Sequence, residues 1–107
     1  MRTTPIRAEL DSGAEFSLFE GKLAQHIGLD LFAGEPFAFR LASGAPLDSR
    51  ILRVLVCHHA LGDIPFSARF STAPMQTNIL GRDFFDLVRI GFDEHHSEVY
   101  LSALRTR

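Results

Sequence analysis

Strict alternation of apolar and polar residues near position 70 is the feature that most constrains the fold. The apolar members are Ile64, Phe66, Ala68 and Phe70, and the intervening residues are Pro65, Ser67, Arg69 and Ser71. Successive side chains of a β-strand point to opposite faces, so this pattern predicts a strand with one buried face. Pro65 lacks an N–H donor, which indicates an edge position for the start of that strand.

Similar strand signals, separated by turn residues, recur along the chain. Strands are predicted over residues 5–10, 15–19, 37–41, 47–58, 64–71, 89–92 and 98–101, with hairpin turns at 42–46, 60–63 and 93–97. Short helices are predicted near residues 20–28, ending at Gly28, and over 82–88, and residues 30–35 are predicted to form a loop. Many short strands with only two short helices predict an all-β domain.

Composition limits the class of protein. The 107 residues are 46% hydrophobic and 22% charged, which indicates one globular domain spanning residues 1–107. With 11 basic and 13 acidic residues the net charge is −2, so nucleic acid is not an expected partner. No apolar run reaches the roughly 18 residues of a membrane span, and the N-terminus does not have a signal-peptide layout. These features predict a cytoplasmic protein. The lone Cys57 excludes an internal disulfide and is interpreted as an inert core thiol.

A compact acidic turn, Asp11-Ser12-Gly13-Ala14, follows directly behind the first predicted strand. A carboxylate followed by a small hydroxyl residue and a glycine can be aimed into a cleft, because Gly13 permits a sharp turn and Ser12 can bond to a neighbouring backbone. Seventy residues later, Gly81 stands in a second motif, Asn78-Ile79-Leu80-Gly81-Arg82-Asp83, just before the predicted second helix.

Together the two motifs resemble the signature of the retropepsin-like aspartic proteases, and the resemblance covers residues 7 to 101. It is closest in style to the bacterial and cellular single-domain members. It implies an all-β, retropepsin-like half-barrel with one or two short helices. In that family the position of the hairpin over residues 37–58 holds the flap, which closes over a bound peptide. The implied activity is that of an aspartic endopeptidase with a peptide or protein substrate and no cofactor.

The resemblance also implies roles for individual residues. Asp11 matches the catalytic aspartate, Ser12 the hydroxyl residue that bonds across to the other subunit, and Gly13 the glycine whose carbonyl receives a substrate amide. Ala14 and Ile79 match residues that line the pockets beside the scissile bond, and Ala42, Ser43 and Gly44 match the flap tip. Gly81 matches the glycine behind the catalytic loop, and Glu15 and Arg82 match an ion pair near the dimer interface.

Aspartic proteolysis needs two adjacent carboxyl groups, and this chain contains a single Asp-Ser-Gly. The resemblance therefore implies a homodimer in which a second Asp11 comes from a second copy across a two-fold axis. Only ten residues precede Asp11, so the N-terminal strand that helps to form the dimer sheet of retroviral relatives is expected to be short or missing. The alternative is a catalytically inactive retropepsin-like module for dimerisation or peptide binding, since fold and motif can survive the loss of activity.

Other chemistries have weaker support in the sequence. Neither His58-His59 nor His95-His96 is expected to bind a metal, because adjacent strand residues point to opposite faces. A serine hydrolase would need a Gly-x-Ser-x-Gly elbow, which is absent, and Ser17 has no evident base in the sequence. A glycosidase would need two designated carboxylates, which the sequence does not single out.

Overall fold

The computed structural model describes residues 3–41, 43–58, 62–88 and 96–103, except for the side chains of residues 96–100 and 103. The strands are β1 (Thr3–Leu10), β2 (Leu18–Glu20), β3 (Glu35–Arg40), β4 (Pro46–His58), β5 (Gly62–Ser71), β6 (Asn78–Leu80) and β7 (His96–Ala103). The helices are α1 (Lys22–His26), α2 (Arg82–Val88) and a single 3-10 turn, Leu31–Ala33.

One sheet contains all seven described strands, in the order β3-β4-β5-β2-β6-β1-β7. Strand β4 also pairs with β7 through residues 54–57. Six neighbouring strands therefore form a closed ring, in the order β4-β5-β2-β6-β1-β7. Strand β3 lies outside this ring and pairs with the first half of β4 as a hairpin, from Glu35 opposite Ile51 to Arg40 opposite Pro46. The long β4 is therefore shared between the closed sheet and the projecting hairpin.

The core is formed by the inward faces of the six strands of the closed ring, by α1 and the 3-10 turn, and by α2. In β5 the predicted alternation is present, since Phe66, Ala68 and Phe70 are buried. Phe84 of α2 is fully buried and packs edge-to-face on Phe66, with ring centroids 5.5 Å apart. Full burial of one such side chain contributes about 1.5–3 kcal/mol to folding, so this contact fixes α2 against the sheet.

The predicted elements that fall on described residues are present, although the strand predicted at 15–19 is reduced to β2 and the other elements differ at their ends. Helix α2 has the predicted bounds, and α1 is shorter than predicted, with Gly28 at φ +84° beyond its end. The predicted loop at 30–35 instead contains a 3-10 turn, because the Asp30 carboxylate accepts a hydrogen bond from the Phe32 N–H and caps it. Pro65 pairs with Leu55 on β4, and β2 reaches β5 only at residues 69–71, so Pro65 has one neighbouring strand in the described sheet.

The closing hairpin is described only in part. The predicted strand at 89–92 and most of its turn lie outside the described residues, whereas the second arm is β7. Within the described ranges, no helix combines the length and apolar character that a membrane crossing requires.

Candidate active site

The two motifs meet because β1 and β6 are parallel neighbours. Leu10 lies opposite Leu80 in their register, and the Asp11 N–H donates to the Leu80 carbonyl at 3.0 Å. Parallel strands end at the same edge of a sheet, so the turn after β1 and the start of α2 after β6 lie side by side. The sheet register thus brings together residues that are 70 positions apart in the sequence.

The turn holds the Asp11 carboxylate by short bonds of its own. The Gly13 N–H donates to Asp11 Oδ1 at 2.9 Å, and the Ala14 N–H donates to the Asp11 carbonyl at 3.1 Å. An added Cβ at Gly13 would lie 3.2 Å from Oδ1, so a glycine gives the loop its closest approach to the acid. Oδ2 receives no hydrogen bond from the described residues and can take part in chemistry.

The start of α2 is bonded to the same turn from behind. The Arg82 N–H donates to the Ala14 carbonyl at 2.8 Å, and the Asp83 N–H donates to the Glu15 carbonyl at 3.1 Å. These bonds satisfy N–H groups that have no partner inside a helix. Gly81 packs so closely that a Cβ there would lie 2.7 Å from the Ala14 carbonyl oxygen. The position of the acidic loop is therefore set by the helix start.

A buried network that sequence reasoning missed supports this packing. The fully buried Ser17 hydroxyl accepts from the Gly81 N–H at 2.9 Å and donates to Asp83 Oδ1 at 2.7 Å. Oδ1 also accepts from the backbone N–H groups of Ser17 and Phe84. Ser17 does have a carboxylate partner, but it is buried away from any substrate. An acid in the first turn of α2 was the available signal, because carboxylates suit helix N-termini.

The expected ion pair between Glu15 and Arg82 does not form within the described single chain. In the described chain both side chains are exposed and no ion pair joins them. Instead the Arg69 guanidinium lies 3.9 Å from Asp83 Oδ2. Burial lowers the pKa of Arg69, and the nearby carboxylates of Asp83 and Glu15 oppose that shift. The cation that pairs with Asp83 thus comes from β5, whereas Arg82 donates its backbone N–H to the turn and its side chain stays exposed.

An open cleft of about 390 Å³ lies over the acidic turn. The lining residues are Asp11, Gly13, Ala14, Glu15, Phe16, Leu18, Phe37, Ala38, Phe39, Arg40, Leu41 and Ile79. The structure thus gathers five of the residues named from the sequence (Asp11, Gly13, Ala14, Glu15 and Ile79) and adds one arm of the β3–β4 hairpin. Ser12 is exposed beside the cleft, Ser43 and Gly44 lie at the hairpin tip outside the lining set, and Ala42 lies outside the described residues.

The hairpin tip is a tight turn with little apolar surface. Gly44 has φ +88°, a conformation that favours glycine, and its N–H donates to the Leu41 carbonyl at 2.8 Å. Arg40 Nη1 donates to the Gly44 carbonyl at 2.8 Å and thereby ties the arm to the tip. Leu41, 39% exposed, is an apolar side chain that the tip leaves open beside the cleft.

A solved structure has a similar fold. It is the crystal structure of a retropepsin-like aspartic protease from Rickettsia conorii, with a TM-score of 0.53 and 94% coverage of each chain at 13% sequence identity. The chain has the retropepsin-like fold. No protein-family model and no curated protein sequence matches it. The likeness therefore rests on the three-dimensional arrangement, and the all-β fold expected from the two motifs is confirmed.

The charged side chains that line the cleft are the carboxylates of Asp11 and Glu15 and the guanidinium of Arg40. Among the residues that the structure describes, no group of three or more His, Cys, Asp or Glu side chains is placed to hold a metal ion. Cys57 lies away from the cleft, and burial, assisted by a hydrogen bond to Asp63, raises its pKa to about 11. Of the two carboxylates that line the cleft, Asp11 is the one that accepts a hydrogen bond from its own turn.

Proposed function

We propose that the chain is an aspartic endopeptidase that acts as a homodimer. The observation that carries the proposal is the Asp11 carboxylate, held by its own turn and braced by α2 at an open cleft with aromatic and aliphatic walls. The retropepsin-like fold supports the same conclusion. A cleft of this kind suits an extended peptide whose apolar side chains pack on Phe37, Phe39 and Ile79.

A second chain is needed because one Asp-Ser-Gly supplies one acid. Glu15, the other carboxylate of the cleft lining, lies beyond the turn and lacks the bonds that fix Asp11. A two-fold axis beside the loop would bring two Asp11 carboxyls together. Like charges so close repel each other, so the pair would share one proton in the acidic range in which cleavage is expected. The ionised carboxyl would then take a proton from a water while the protonated one donates to the scissile carbonyl oxygen.

The remaining residues are assigned to binding and assembly. The exposed Ser12 hydroxyl is free to bond to the partner's loop, and the Gly13 carbonyl would receive a substrate amide. Ala14 and Ile79 line the pockets beside the scissile bond. The hairpin tip with Ala42, Ser43 and Gly44 would close over the peptide and exclude water. The exposed guanidinium of Arg82 and the exposed Glu15 are available to the dimer interface.

Replacement of the acid is the direct test. Asp11→Asn keeps an Oδ1 acceptor for the Gly13 N–H, so the free energy of unfolding should change by no more than about 0.5 kcal/mol. Cleavage of a mixed peptide library should fall to background. The wild-type rate should follow a bell-shaped pH profile with an optimum below pH 7, as expected for coupled carboxyls (about pH 4 to 6).

The matched control is Asp86→Asn, a substitution of an exposed aspartate on α2 that leaves the cleft unchanged. Sedimentation of the wild type and both variants should show a dimer. A wild type that dimerises and binds peptides without cleaving any of them would contradict the proposal and support the inactive module. A monomer that cleaves would refute the shared site.

A further inference from the structure

Arg69 lies at the junction between the hairpin and the acidic loop. In β5 it pairs with Ile51 of β4 on one side and with Leu18 of β2 on the other. Strand β4 continues from Ile51 into the hairpin that covers the cleft, and β2 follows directly on the segment after Asp11. One residue is therefore placed next to both parts of the cleft.

The Arg69 guanidinium contacts an aromatic ring from each part. Its central carbon lies 3.8 Å from the ring centroid of Phe16, which follows the acidic loop, and 4.1 Å from that of Phe37, in β3. The two rings themselves meet edge-to-face with centroids 5.4 Å apart. Both rings line the cleft. A planar cation held against two ring faces is a contact that Arg makes better than Lys.

The same guanidinium is also the charge partner of the buried network. Asp83 Oδ1 accepts hydrogen bonds from the Ser17 hydroxyl and the Phe84 N–H. Asp83 Oδ2 is buried and accepts no hydrogen bond within the described chain. The nearest cation in an ion pair with Oδ2 is Arg69, at 3.9 Å, and the Arg69 side chain is only 14% exposed. Arg69 therefore joins the aromatic contact to the Ser17–Asp83 pair, which holds Gly81 behind the loop.

We propose that Arg69 is a positioning residue that couples the hairpin to the acidic loop and sets the separation of the aromatic walls Phe16 and Phe37. Its effect on cleavage rests on the proposed peptidase function. Its effect on the hairpin is independent of that proposal, because the contacts of Arg69 with Phe16 and Phe37 exist in the single chain without substrate. Arg69 itself is not among the residues that line the cleft, so it acts through the two rings.

The test is Arg69→Lys, which keeps the charge opposite Asp83 and removes the planar contact with the rings. Amide hydrogen exchange over residues 35–40 should become at least tenfold faster. KM for a peptide with an aromatic side chain next to the scissile bond should rise about fivefold, with kcat within twofold of wild type. The matched control is Arg53→Lys, on β4, where the exposed guanidinium bonds Ser67 and contacts neither ring; it should leave exchange and KM unchanged.

A double-mutant cycle with Phe37→Leu shows whether Arg69 acts through the ring. Arg69→Lys should add less than a twofold further change in exchange once Phe37 is replaced. Additive effects in the cycle would overturn the coupling, and so would an Arg69→Lys protein with wild-type exchange. A loss of stability with unchanged KM and exchange would reduce Arg69 to a structural ion-pair partner. Should the wild type cleave nothing, the exchange data still decide the role of Arg69 and only the peptidase proposal fails.

Discussion

Substitution of Gly81 by alanine tests whether the helix start positions the acidic turn. An alanine Cβ at this position would lie 2.7 Å from the Ala14 carbonyl oxygen and 2.8 Å from the carbonyl carbon and oxygen of Phe16. These are backbone atoms, so no side chain can rotate out of the way. To reach an ordinary contact of 3.4 Å, the Ala14 carbonyl must move by about 0.7 Å.

The size of the effect follows from that movement. Overpacking of this kind costs about 1–3 kcal/mol of unfolding free energy, and a misplacement of about 1 Å at a reacting group costs about 10²-fold in rate. The Ala14 carbonyl accepts the bond from the Arg82 N–H, so its shift also loosens the start of α2. Gly81→Ala should therefore remain folded, with a free energy of unfolding lower by about 1–3 kcal/mol. Its kcat/KM should fall by about two orders of magnitude.

Urea unfolding and peptide cleavage measure the two effects. The control is Gly62→Ala, where no atom lies within 4 Å of the new Cβ but φ is +79°. A left-handed alanine costs roughly 1–2 kcal/mol, so the control loses comparable stability without moving the loop. Equal losses of kcat/KM in the two variants, or full activity in Gly81→Ala, would refute the idea that the close packing of Gly81 sets the geometry of Asp11.

Three further predictions concern the buried Ser17 hydroxyl and the half-buried Cys57 thiol. Ser17→Ala removes a hydroxyl that makes two hydrogen bonds, so it should lower the free energy of unfolding in urea by about 2–3 kcal/mol. The control Ser49→Ala loses one hydrogen bond to Phe37 and should lower it by about 1 kcal/mol. Equal losses in the two variants would contradict the network. The pKa of Cys57 is raised from 9.0 to about 11, so the folded chain holds the thiol proton more tightly than the unfolded chain does. The free energy of unfolding should therefore fall as pH rises through that interval, and this decrease should be absent in Cys57→Ser. At pH 8, alkylation of Cys57 should be roughly tenfold slower in the folded chain than in urea, because the thiolate fraction falls about 100-fold while the greater nucleophilicity returns about tenfold.

The sequence predicted what depends on local pattern. The alternation from Ile64 to Ser71 sets one face of β5, and the apolar residues of 82–88 set α2, because each pattern repeats within a few residues. The juxtaposition of Asp11 with Gly81 was expected from the resemblance and is produced by the parallel pairing of β1 with β6.

The cluster around Arg69 could not be predicted in the same way. Its partners Phe16, Phe37 and Asp83 come from three separate parts of the chain, and no period links them to Arg69. The resemblance implies an ion pair of Glu15 with Arg82, whereas the ion pair that the described chain forms in this region joins Arg69 to Asp83. Which arginine side chain is buried depends on the packing of the assembled sheet, and no local sequence pattern encodes it.

The pairing of β1 with β6 also has a consequence for the life of the chain in the cell. The acidic turn is synthesised before its support, because Gly81 follows Asp11 by 70 residues in the sequence. A loop of that length must close before the parallel contact forms, which makes such contacts late events in folding. At roughly 5–20 residues per second, a growing chain spends several seconds with Asp11 already made and nothing behind it. The arrangement of the Asp11 turn that depends on Gly81 therefore cannot assemble before the residues of β6 and the start of α2 have been made.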